Sequence, residues 1–144
     1  MAEGRFVLTR IGQTLVVTLE GAADTATLSA AGDTVAEIHA RQGAESVAFE
    51  VSGCEVIDLD EFVGLQKLVS TMEWLGLRCV IAGLRPGIVA YLASVGMSAG
   101  SLCTSLDLEL ALQELNPSRD QPETESESEP EPEREYDADD ARPI

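Results

Sequence analysis

The stretch EVIDLDEFVGLQ, residues 55–66, places three carboxylates within four positions: Asp58, Asp60 and Glu61. It is the only dense cluster of groups that could do chemistry. Two neighbouring carboxylates can share the work of general acid and general base. Three together can also hold a hard cation through oxygen ligands. A third reading needs no ligand at all. Asp58 at an N-cap with Glu61 three residues later forms a capping-box pair, and Asp60 adds charge in the first helical turn. Acids placed there satisfy orphan N–H groups and face the positive end of the helix dipole, each contributing about 0.3–1 kcal/mol. Capping accounts for all three acids, and no catalytic residue is assigned.

Other chemistry has little to work with. The single histidine, His39, sits on an amphipathic segment, and no motif places a serine beside it. Cys54, Cys79 and Cys103 are odd in number and lack CxxC spacing, as expected of reduced, half-buried thiols. A zinc site needs four ligands and these are scattered singly. Neither GxGxxG nor GxxxxGK[ST] occurs. No metal and no cofactor is expected.

Charge excludes whole classes of partner. The chain of 144 residues has a formal net charge of −17. Residues 116–144, NPSRDQPETESESEPEPEREYDADDARPI, hold 11 acids and 3 arginines and almost no large apolar side chain. Such a segment cannot bury enough surface to fold alone, so a disordered acidic tail is expected there. Residues 1–115 carry 15 acids against 6 bases and are expected to form one domain. Nucleic-acid affinity comes mainly from Lys and Arg neutralising phosphates, so both parts argue against it and against anionic membrane surfaces. No apolar run approaches the roughly 20 residues of a membrane helix. The start, MAEGRFVLTR, lacks the pattern of a signal peptide, and a cytoplasmic protein is expected.

The elements that position the acids follow from periodicity. RFVLTRI and TLVVTLEG are β-branched runs joined around Gly12, a hairpin signature. Leu28, Ala31, Val35 and Ile38 recur at helical spacing, with Asp24 or Thr25 as cap and Gly43 beyond the end. SVAFEV reads as a strand turned by SG. Phe62, Leu65, Leu68, Val69, Met72 and Leu75 then form one apolar stripe that Gly76 closes. LRCVIAGL is a strand, RPGIVAYLASVG a helix opened by Pro86, and DLELALQEL a last amphipathic helix. The order predicts an α/β domain with a mixed sheet of four to five strands packed by about four helices.

VIDLDEF followed by LVSTMEWLGLRCVIAGLRPGIVAYLASVGM, in this element order, resembles the STAS domain of anti-sigma factor antagonists, especially the small scaffold subunits of the stressosome. The likeness spans residues 5–115. It is most specific at Gly76, the apolar strand after it, Gly83-Leu84-Arg85-Pro86 and Val95-Gly96.

What the resemblance implies is binding, not catalysis. A serine kinase of the ATPase type docks near the start of the second helix and phosphorylates a Ser or Thr just after an Ile-Asp pair. Other STAS proteins assemble with the domain as homo- or hetero-oligomers. Counting back without gaps from Gly76, Asp58 matches the family's aspartate. Leu59 then falls on the phosphoacceptor of the scaffold subunits, and Asp60 on the position where sporulation-type antagonists carry Ser. Here neither is a hydroxyl. Asp60 supplies a fixed charge about half that of a phosphate. The partner-binding positions implied are thus Asp58, Leu59, Asp60 and Glu61, with Arg85 as a further contact. Control through Ser70, Thr71, Ser126 or Ser128 is the alternative to a fixed state. A STAS accessory subunit of another complex, such as a lipid-transport system, is the alternative function.

Overall fold

The computed structural model describes residues 3–97, 103–116 and 134–136. Strands β1 (Arg5–Ile11) and β2 (Thr14–Glu20) form the antiparallel hairpin, turned at Gly12 with φ of 62°. Three parallel units follow. Helix α1 (Thr25–Gln42) carries the chain to β3 (Ser46–Gly53), α2 (Leu59–Trp74) to β4 (Arg78–Ala82), and α3 (Pro86–Ser94) to the short β5 (Thr104–Ser105). Helix α4 (Leu108–Leu115) closes the domain. A last strand, β6 (Arg134–Tyr136), comes from the acidic tail and pairs antiparallel with β1. The sheet order is β5-β4-β3-β2-β1-β6.

Alternation along the central strands sorts side chains into two layers. Val47, Phe49 and Val51 of β3, with Cys79 and Ile81 of β4, join a core shared by α1, α2 and α3. Ala48, Val80 and Ala82 point the other way and pack against Ala111 and Leu115 of α4. The five strands of residues 5–105 and the four helices are the α/β architecture that periodicity predicts. The sixth strand departs from that expectation, because its three residues lie in a segment with no apolar alternation. Strand β3 also runs through Ser52 and Gly53, where the sequence pattern predicts a turn. A register shift lets Glu20 pair with Gly53, and the Gly21 N–H donates to the Gly53 carbonyl at 3.2 Å, so pairing continues.

Two glycines let α1 and α2 approach. A Cβ at Gly32 would lie 2.8 Å from Leu68 Cδ1, and one at Gly64 would lie 3.0 Å from Leu28 Cδ1. Each leucine thus fills the space that the facing glycine leaves open. At the far end, His39 ties the two helices together. Its Nδ1 accepts from the Ala44 N–H at 3.1 Å, which leaves Nε2 to donate to the Leu75 carbonyl at 3.1 Å. The lone histidine is therefore half-buried and structural.

Candidate functional site

In a parallel sheet, helices that follow neighbouring strands begin at the strands' carboxyl ends. Helix α1 follows β2 and α2 follows β3, so their N-termini lie side by side. Each is capped by an aspartate. Asp24 Oδ1 accepts from the Thr27 N–H at 2.8 Å. Asp58 Oδ1 accepts from the Glu61 N–H at 2.8 Å, while Glu61 Oε1 accepts from the Asp58 N–H at 3.1 Å. That is a complete capping box. Ile57 before it and Phe62 after it are both buried in the main core, at the positions of a hydrophobic staple.

Between the two helix starts lies an open groove of about 340 Å³. Asp24, Asp58, Asp60 and Glu61 line it against one cation, Lys67. Its floor is apolar, formed by Leu28, Gly64 and Leu68. The groove favours cationic or hydroxyl-bearing groups and repels anions. The cap carboxylates already occupy N–H groups that could otherwise receive a phosphate. Among the described residues, no group of three or more His, Cys, Asp or Glu is arranged to hold a metal ion.

Glu61 holds its proton more tightly than an ordinary glutamate. Burial is the main cause, and Asp58 and Asp24 add to it against the opposing hydrogen bond to the Asp58 backbone. The sign of the linkage follows. With the folded-state pKa raised, ionisation works against folding, and that cost is relieved as pH falls through the raised value. Glu61→Gln keeps an acceptor for the Asp58 N–H but carries no charge. It is therefore expected to be more stable than the parent at pH 7, with the difference vanishing on acidification into the carboxylate range. Urea midpoints across pH check this; a Gln variant less stable at pH 7 would contradict it.

Leu59 and Val56 do not enter the groove. Both face outward, with Val56 71% and Leu59 37% exposed. Beyond them the outer face of α2 ends in Trp74, the chain's only tryptophan, which is 89% exposed. Ser70 and Thr71 lie on exposed surface nearby, whereas Ser126 and Ser128 fall outside the described residues. Arg85 is also apart from the groove. Its Nε and Nη2 both donate to the Ser52 carbonyl, at 3.1 and 2.8 Å, fastening the start of α3 to the end of β3.

The structure therefore brings together Asp58, Asp60 and Glu61 but adds Asp24, Ser29, Lys67 and Thr71, which sequence reasoning does not group with them. The parallel order of β2 and β3 is the signal that could have found them. The thiols offer no nucleophile near the groove. Burial, reinforced by Glu61, Glu50 and Glu20, pushes Cys54 up to about 11, and burial pushes Cys79 up to about 12. Cys103 is exposed. No helix among the described residues is long and apolar enough to cross a membrane.

No family model matches the sequence, and no curated protein matches it. Solved structures do. A Moorella thermoacetica RsbS carrying a serine-to-glutamate substitution is 22% identical, covers 78% of this chain and 96% of its own, and gives a TM-score of 0.64. A structure described as the molecular architecture of the stressosome is 23% identical over 79% of this chain and 99% of its own, with a TM-score of 0.59. A Thermotoga maritima structure described as an anti-sigma factor antagonist is 10% identical over 77% of this chain and 94% of its own, with a TM-score of 0.58. The likeness lies in the fold, a sheet with parallel β2, β3, β4 and β5 and helices packed on it, and this chain has the STAS fold.

Proposed function

We propose that this chain is a regulatory protein-binding module of the stressosome-scaffold and anti-sigma-antagonist type. The surface at the start of α2 docks a serine kinase in a state that phosphorylation does not switch. One observation supports this most. The first residue of α2 is the half-exposed Leu59, held by a complete capping box and followed by the exposed Asp60. The position is accessible and rigid, yet carries no hydroxyl. Asp60 supplies a fixed negative charge there, of the kind that a serine-to-glutamate substitution introduces in the RsbS variant.

The exposed apolar pair Val56 and Leu59 beside the acids has the make-up of an interface centre with a charged rim. Assembly with other STAS chains and a cytoplasmic location belong to the same reading. No reaction is assigned to the groove, since a shared fold does not confer chemistry.

Asp60→Lys tests the docking surface. Asp60 is exposed and makes no capping bond, so the fold tolerates the change, while the charge facing a partner reverses. Kinase capture measured by calorimetry should weaken by about tenfold or more. Unchanged capture would place the kinase elsewhere.

A further inference from the structure

We propose that the acidic C-terminal segment is an intramolecular strap, in which Arg134–Tyr136 seals the outer edge of β1 against strand addition by a second copy of the chain. This stands independently of the kinase-docking reading, which concerns the start of α2.

Strand β1 would otherwise end the sheet. Its inner neighbour is β2, and its outer edge is paired by β6 through Phe6↔Tyr136, Val7↔Glu135 and Leu8↔Arg134. Seven residues long and regular, with Phe6 and Leu8 buried and Val7 half-buried, β1 has the properties of an edge that recruits another strand. A chain without β6 would present that edge to every other copy.

The tail leaves the domain from a fixed root. Arg78 Nη2 donates to the Leu115 carbonyl, and Asn116 Nδ2 donates to Thr14 Oγ1 at 3.0 Å, which places the exit beside the start of β2. From Asn116 to Arg134 an extended chain reaches about 60 Å, whereas crossing from β2 to the outer side of β1 takes about 10 Å. The span imposes no strain.

Two measurements on the full chain decide it. With Cys103→Ser removing the exposed thiol, Val7→Cys and Glu135→Cys place thiols on register partners of β1 and β6. Mild oxidation with oxidised glutathione should give a 7–135 disulfide within one chain, seen as a single-chain mass on a non-reducing gel and confirmed by peptide mapping. A 7–135 disulfide joining two chains, or none forming, would overturn the proposal. Separately, Glu135→Pro with Tyr136→Pro removes two neighbouring N–H groups, one of which must face β1. Amide exchange at β1 should accelerate about 100-fold at its outer-facing positions, and the particle mass should rise with concentration relative to the parent. Parental exchange rates and parental mass would each contradict a sealed edge.

Discussion

Replacing Leu59 by serine is expected to turn a chain that takes up no phosphate in residues 55–66 into one that is phosphorylated there. The substitution itself costs little. Leu59 is 37% exposed at the first position of α2, where serine is compatible with the backbone and the Asp58–Glu61 box remains intact. The modification does much more. A phosphate on the new hydroxyl adds nearly two negative charges beside Asp58, Asp60 and Glu61. A helix start normally welcomes a phosphate, but here Asp58 already holds the Glu61 N–H, and the neighbouring carboxylates repel a further anion. Kinase held by the unmodified surface should therefore be released on phosphorylation, with affinity falling about tenfold or more. Mass spectrometry of the 55–66 peptide after incubation with an anti-sigma-type serine kinase and ATP reads the first effect, and calorimetry reads the second. A Leu59→Ser chain left unmodified, while a serine-bearing antagonist in the same tube is phosphorylated, would show that position 59 is not the switch position.

Gly83→Val is expected to destabilise the domain by about 3 kcal/mol or more. Gly83 follows β4 with φ of 85°, a left-handed conformation that a β-branched residue strongly resists. The space is closed as well. A Cβ there would lie 2.5 Å from Glu50 Oε2 and 3.1 Å from the Ser52 backbone nitrogen. The Glu50 carboxylate ends a flexible side chain and can swing aside, but the Ser52 backbone, whose carbonyl holds Arg85, cannot. The strain thus passes to the junction between β3 and α3. Gly87→Ala gives the contrast: a Cβ at Gly87 meets nothing within 4 Å, and alanine in a helix is favoured over glycine by about 0.5–1 kcal/mol. Urea unfolding of the two variants should move in opposite directions from the parent. A Gly83→Val midpoint matching the parental one would contradict the account of this turn.

The order of elements is legible because each helix announces itself with a cap and a stripe. Asp58 with Glu61, Pro86, and Gly76 after Leu75 all stand where periodicity places them. Cys79, Ile81, Val80 and Ala82 show why the central strands read as continuous apolar runs rather than alternation: both faces of β4 are buried. The site is legible only in part. Its acids come from one short stretch, yet the groove also needs Asp24 and Ser29, about 30 residues away, and only the parallel pairing of β2 with β3 brings them alongside. Arg85 reads from sequence as an exposed contact residue, and in the structure it is exposed while its guanidinium also donates to the Ser52 carbonyl, a bond that no sequence pattern announces. Sequence reasoning assigns Gly32 and Gly64 no role, because their meaning depends on the leucine each faces. Strand β6 gives no signal because backbone pairing with an edge requires no side-chain pattern.

The three acids and the leucine at the start of α2 acquire a common meaning from this geometry. Asp58 and Glu61 fix the helix start, Asp60 charges it, and Leu59 leaves it without a hydroxyl. The most direct test is calorimetric titration of an anti-sigma-type serine kinase into the full chain, before and after the chain has been incubated with that kinase and ATP. The predicted result is the same affinity in both titrations with no phosphate on residues 55–66. Binding lost after ATP treatment, with phosphate found on Ser70 or Thr71, would contradict a surface of fixed charge.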